Sequence, residues 1–131
     1  MAATNLSHEI AFMRNRNQSG SHLHHVGYYV ESPDQLVRGA TILMEAGYEI
    51  EWGPGSHGTS GAIFLYAFEP SGHRVEVWTG GFLLFAPDWE PIRWSPESGS
   101  VALEMWGSPM PDSYLTYGTP LTPGHVSQPA A

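Results

Sequence analysis

Residues Phe64–Trp78 read FLYAFEPSGHRVEVW, two apolar runs rich in aromatic and β-branched residues on either side of a PSGH cluster of turn formers. Such a pattern predicts two strands joined by a tight connection. Glu76 stands between Val75 and Val77 in the second run. Side chains alternate across a strand, so Glu76 shares a face with Arg74 and Trp78, opposite the two valines. A carboxylate buried without a partner is costly, so one placed here is paired, hydrogen-bonded or bound to a metal. If EPSGH is a five-residue loop, Tyr66 lies directly across from Glu76. A four-residue loop shifts the register by one and puts the two on opposite faces.

Upstream, YEIEW reads as a short strand ended by GPG. Before it, ESPDQLVRGATILMEAG carries the signals of a helix. Ser32 is an N-cap, Pro33 occupies the first helical position, and Gln35 completes a capping box. Leu36, Ala40, Leu43 and Gly47 fall on one face, with Val37 and Met44 beside it, and Gly47 suits the position after the last turn. HLHHVGYYV (22–30) reads as another strand, with Leu23, His25, Gly27 and Tyr29 on one face and His24, Val26, Tyr28 and Val30 on the other. NLSHEIAFMR (5–14) alternates enough for a leading strand, followed by the polar loop NRNQSGS. Residues 22–78 therefore form one β-α-β-β-β unit of an α+β fold. From Gly80 onward, prolines, tryptophans and tyrosines replace regular alternation. The expectation is a single domain over 1–131, with 79–131 as an irregular wrapping tail holding one short helix or strand at Val101–Trp106.

The 131-residue chain has 41% apolar and 12% aromatic residues, enough for one modest globular core. A net charge of −8 repels phosphate backbones, which argues against nucleic acid as a partner. No apolar run approaches the roughly 20 residues of a membrane span, and the N-terminus lacks a secretory pattern. The lack of cysteine fits a reducing compartment, so a cytoplasmic location is expected. Seven histidines against five Lys and Arg is an unusual ratio, and neutral imidazole is the commonest protein metal ligand. An imidazole and a carboxylate on neighbouring strands suit a divalent ion. Two histidines and one carboxylate suit non-haem Fe(II), and the residues supply two candidates, His25 and Glu76.

LHHVGYYVES, GPGSHG, FLYAFEPSGHRVEV, PDWEPIRW and the later YGTP, taken in this order, resemble the C-terminal region of catechol 2,3-dioxygenase-like extradiol dioxygenases, members of the vicinal oxygen chelate superfamily. The resemblance runs from about Ser7 to Gly118. It implies paired β-α-β-β-β modules, each curled into a half-open barrel around a metal. By position, His25 and Glu76 match iron ligands, and His8 matches a histidine that lies near bound oxygen and handles protons. His57 and Tyr66 match residues that hydrogen-bond the substrate oxygens. The implied function is extradiol cleavage of a catecholic substrate with Fe(II), or Mn(II) in its place, and O2.

In that family a further ligand histidine lies in a preceding module, several dozen residues before the position of His25. Only 24 residues precede His25 here, so the resemblance implies a third donor from outside this stretch, through a partner chain carrying the upstream modules or a homo-oligomer. The rival expectations are a non-catalytic assembly module and another metal-dependent member of the superfamily, such as an isomerase, lyase or thiol transferase. His22, His24, His73 and His125 are expected to be structural or exposed. Trp89, Trp94, Trp106, Tyr114 and Tyr117 are expected to serve packing.

Overall fold

The computed structural model describes residues 3–14, 22–86 and 88–120. The elements are β1 (His22–Leu23), β2 (Val26–Tyr29), α1 (Pro33–Glu45), β3 (Ile50–Ser56), β4 (Ala62–Phe68), β5 (Arg74–Gly80), a 3-10 segment (Pro96–Ala102), α2 (Asp112–Thr116) and β6 (Thr119–Pro120). Four strands make one sheet in the order β2-β5-β4-β3, with β2 parallel to β5 and the other pairs antiparallel. α1 is the crossover that the parallel pairing demands. β1 and β6 form a separate antiparallel pair.

The turn between β4 and β5 decides the register. Phe68 pairs with Arg74, so five residues, Glu69–His73, make the connection, and Tyr66 pairs with Glu76. Gly72 adopts φ +90°, a conformation that costs glycine little. The Glu69 carboxylate accepts from the Ser71 and His73 backbone N–H groups at 3.2 and 3.1 Å, which closes the turn locally.

α1 starts as its sequence predicts, with the Gln35 N–H donating to Ser32 Oγ at 3.3 Å. The Gln35 side chain reaches one residue further back than a capping box requires and accepts from the Glu31 N–H at 2.9 Å. Gly47 follows the last turn at φ +83°.

β4 is apolar throughout because both of its faces are covered. On one side Leu65 packs with Leu36 and Ala40 of α1, flanked by Val30, Leu43, Ile50, Ile63 and Val77. On the other, Phe64 and Tyr66 pack with Trp52 and Tyr114, flanked by Trp78, Leu103, Met110 and Leu115. The second cluster is where the candidate site residues lie, and the chain beyond β5 covers it.

That covering is specific. The Met105 N–H donates to the Ser56 carbonyl at 2.8 Å, and the Ser56 N–H to the Trp106 carbonyl at 2.9 Å. Trp52 Nε1–H donates to the Ser108 carbonyl at 2.8 Å. Arg74, 1% exposed, spends all five of its N–H donors. Two go to the Glu51 carboxylate at 2.5 and 2.8 Å, and one each to the carbonyls of His24, Tyr117 and Ser113 at 3.2, 3.0 and 3.0 Å.

The fold differs from the sequence expectation in three places. Asn5–Arg14 forms no strand, and only Leu6 bridges to Leu83. The 22–30 strand divides into β1 and β2, because at His24 and His25 the chain passes from the β1–β6 pair to the four-stranded sheet. Val101–Trp106 contains the end of the 3-10 segment and a one-residue bridge from Trp106 to Ser56, and the tail's α-helix lies further on, at Asp112–Thr116. His125 lies outside the described residues.

Candidate metal centre

β2 pairs with β5 so that Gly27 is opposite Glu76, and β4 pairs with β5 so that Tyr66 is opposite Glu76. The carboxylate thus sits in the middle strand of three. A Cβ on Gly27 would come within 3.5 Å of Glu76 Oε2 and 3.1 Å of Trp78 Nε1, so the bare backbone leaves room for the carboxylate. Two residues before Gly27, His25 places Nε2 3.2 Å from Glu76 Oε2. His57, in the loop after β3, places Nε2 3.5 Å from Glu76 Oε1 and 3.0 Å from the Tyr66 hydroxyl. Its ring stacks on Phe64 at 3.9 Å, and its Nδ1 lies 2.5 Å from the Leu103 carbonyl oxygen. Four of the five residues singled out from sequence are therefore assembled in one cluster.

The fifth, His8, is exposed, and its described hydrogen bond is to Ser7 Oγ at 3.1 Å. Among the described contacts none joins it to the other four.

Burial alone would raise the Glu76 pKa. The hydrogen bonds from His25 and His57, the charge of His25 and the Tyr66 hydroxyl outweigh it and bring the carboxyl down to about 2. Tyr66 is pushed well above the ordinary phenol value, first by burial and then by the neighbouring Glu76 charge and Tyr114. At neutral pH the cluster holds an ionised carboxylate beside a protonated phenol, with two imidazoles facing the carboxylate.

Two residues in this cluster were not foreseen as part of it. His24 is half-buried, with Nδ1 2.6 Å from His25 Nδ1 and Nε2 2.6 Å from the Tyr114 carbonyl oxygen. Burial lowers its pKa, and the Arg74 charge adds to that against the hydrogen bond to the Tyr114 backbone. Tyr114 brings its hydroxyl to 3.4 Å from that of Tyr66, and burial raises its own pKa to about 12. The doubled histidine was the visible signal for His24. Nothing local marks Tyr114, which reaches the cluster only because the tail folds back.

The donor set fits a divalent cation. Imidazole nitrogen and carboxylate oxygen are the ligands borderline and hard divalent ions take. Two donors about 2.1 Å from one ion at a right angle stand about 3 Å apart, close to the 3.2 Å between His25 Nε2 and Glu76 Oε2. Among the described residues no group of three or more His, Cys, Asp or Glu side chains is arranged to hold an ion. Two open cavities of about 460 Å³ lie elsewhere on the surface, one bounded by Leu6, Tyr29, Trp78 and Leu83. Neither is lined by the four clustered residues.

Comparison with known proteins bears on the fold and the family. Residues 1–77 match the family described as the glyoxalase/bleomycin resistance protein/dioxygenase superfamily. The chain is 39% identical over 131 residues to a metapyrocatechase from Geobacillus stearothermophilus, covering 98% of this chain and 40% of the relative. It is 43% identical over 112 residues to a manganese-dependent 2,3-dihydroxybiphenyl 1,2-dioxygenase from Geobacillus genomosp. 3, covering 84% and 36%. In structure it resembles homoprotocatechuate 2,3-dioxygenase from Arthrobacter globiformis, with TM-score 0.65, 30% identity, and 76% of this chain and 31% of that one covered. The chain thus spans 36–40% of the length of these two curated relatives. The four-stranded mixed sheet with its single crossover helix is the vicinal oxygen chelate fold that the motifs implied, and the chain belongs to the glyoxalase/bleomycin resistance protein/dioxygenase superfamily.

Proposed function

We propose that this chain supplies part of the active site of an extradiol dioxygenase that cleaves catecholic substrates with O2. The observation that carries the reading is the pairing of His25 Nε2 with Glu76 Oε2 at 3.2 Å beside Tyr66 and His57, together with the dioxygenases named among its relatives and structural neighbours.

His25 and Glu76 would hold the metal, as Fe(II) or, in line with the name of one relative, Mn(II). An ion held there would supply Lewis-acid activation of the catechol and of O2. The residues of this chain do the rest of the positioning. Tyr66, kept protonated by burial, donates to a substrate oxygen. His57, whose Nδ1 is held by the Leu103 carbonyl, directs Nε2 toward the same point. The wall of Trp52, Phe64 and Tyr114 keeps that side of the cluster dry. His8 would take the proton-handling role by resemblance alone. The product is a yellow ring-opened semialdehyde that carries both atoms of O2.

The remaining protein donor would come from a chain segment beyond this stretch or from a partner. Exposed apolar side chains on β2, Val26, Tyr28 and Tyr29 at 44%, 58% and 56%, suit such an association. Among the described residues no helix is long and apolar enough to cross a membrane. A cytoplasmic setting is part of the proposal.

Equilibrium dialysis with Fe(II) or Mn(II), with and without the upstream modules of a homologous dioxygenase, tests the reading. Stoichiometric binding that Glu76→Gln abolishes is expected, along with ring cleavage by the assembled protein. Failure to bind either ion in any combination would favour the non-catalytic assembly module instead.

A further inference from the structure

The contacts of His24 have a direction. Its Nε2 lies 2.6 Å from the Tyr114 carbonyl oxygen, an atom that only accepts, so Nε2 carries the proton. A neutral imidazole has one N–H, which leaves His24 Nδ1 with a lone pair. That lone pair faces His25 Nδ1 at 2.6 Å, a separation that requires a proton between the two nitrogens. The proton then belongs to His25 Nδ1. It follows that His25 Nε2 is the nitrogen free to face Glu76 Oε2, with room between them for one cation, whether a proton or a metal ion.

We propose that His24 is a positioning residue that fixes the tautomer of His25, so that Nε2 is presented to the ion site. The inference rests on the reading of His25 as a metal donor. Metal-bound histidines commonly donate their second N–H to a fixed acceptor, which sets ring orientation and ligand basicity. Here that acceptor is another imidazole, set in turn by the backbone of α2.

The relay is anchored at each end. Tyr114 is 3% exposed within the aromatic cluster. The neighbouring Ser113 carbonyl and the His24 carbonyl both accept from the Arg74 guanidinium, at 3.0 and 3.2 Å. The His24 ring stands edge-on to His25 at 4.9 Å and to Tyr114 at 4.7 Å. A residue that served packing alone would not need this ordered series of donors and acceptors.

The test begins with the metal-free chain labelled with 15N in its histidine rings. Proton-detected NMR is expected to find a proton bonded to His25 Nδ1, with nitrogen–nitrogen coupling across the hydrogen bond to His24 Nδ1. A proton bonded to His24 Nδ1, or no coupling, overturns the proposal. Mn(II) binding by equilibrium dialysis then compares two variants. His24→Asn offers a carboxamide oxygen near the position of Nδ1 and should keep nearly the original affinity. His24→Phe offers no acceptor and should weaken binding by about tenfold to a hundredfold. Equal affinities in the two variants contradict the proposal. Should His24→Phe fail to fold, the coupling and the Asn variant decide. If the unaltered chain binds no Mn(II) even with the upstream modules of a homologous dioxygenase present, the metal assignment falls, while the coupling still decides the tautomer independently.

Discussion

Tyr66 and Glu76 are direct cross-strand partners on β4 and β5, and the Tyr66 hydroxyl helps hold the Glu76 carboxyl ionised while the Glu76 charge helps keep Tyr66 protonated. One residue fewer in the turn would put them on opposite faces of the sheet. The chemistry of the cluster depends on that register, which the Glu69–His73 loop sets.

Tyr66→Phe separates substrate handling from metal holding. It removes a hydroxyl 3.0 Å from His57 Nε2 and leaves His25 and Glu76 in place. Mn(II) affinity should be unchanged. In the assembled enzyme the apparent affinity for catechol should fall by up to about tenfold, the size of one neutral hydrogen bond. Equal losses in metal and catechol binding would contradict the assignment.

Gly27 is the second point of leverage. An added Cβ would press on Trp78 Nε1 at 3.1 Å and Cδ1 at 3.3 Å, with the Glu76 carboxylate just beyond. Gly27→Val should cost about 1–3 kcal/mol through overpacking, measured by urea unfolding, and should weaken metal binding in the fraction that folds. Gly27→Ala, needing shifts of only a few tenths of an ångström, should do less on both counts.

The tail clamp predicts a reversible loss. Arg74→Met leaves the Glu51 carboxylate, 5% exposed, buried without its partner. Breaking one half of such a pair costs about 3–5 kcal/mol. Replacing both, as Glu51→Leu with Arg74→Met, should recover much of that loss, because the charge left behind does the damage. A double variant no more stable than the single one would show that the carbonyls of His24, Ser113 and Tyr117 depend on the guanidinium itself.

Acid stability should carry the mark of Glu76. Its folded-state pKa of about 2 lies below the ordinary 4.5. The carboxylate therefore contributes stability that is fully present above pH 4.5 and is lost as pH falls toward about 2. Thermal midpoints of the original chain and of Glu76→Gln, followed across that window, should converge as pH drops. Parallel curves would mean that Glu76 is not held by its imidazole neighbours.

Much of this arrangement was legible in the residues. The crossover helix announced itself through Ser32, Pro33 and Gly47, and the hairpin through PSGH between two apolar runs. Glu76 was conspicuous as a charge on an inward face. Arg74 occupies the same face, two residues earlier, and the same logic applied to it would have asked for a partner. Its partner Glu51 lies on β3, two strands away, and local pattern does not reveal that distance. Tyr114 and the carbonyls around it belong to a segment with no periodicity, whose place is set by packing on Trp52 and Tyr66 rather than by propensity. Asn5–Arg14 shows the reverse case. Its alternation suits a strand, yet beyond Leu6 it joins no sheet among the described residues, and alternation without an adjacent strand edge gains no ladder.

One ion shared by His25 and Glu76 underlies the proposed chemistry. Crystals of the chain soaked in millimolar Mn(II), with diffraction recorded at the manganese absorption edge, test that directly. A single anomalous peak within bonding reach of both His25 Nε2 and Glu76 Oε2 is the predicted result. Ordered side chains closed on each other as an ion pair, with no peak between them, would contradict it.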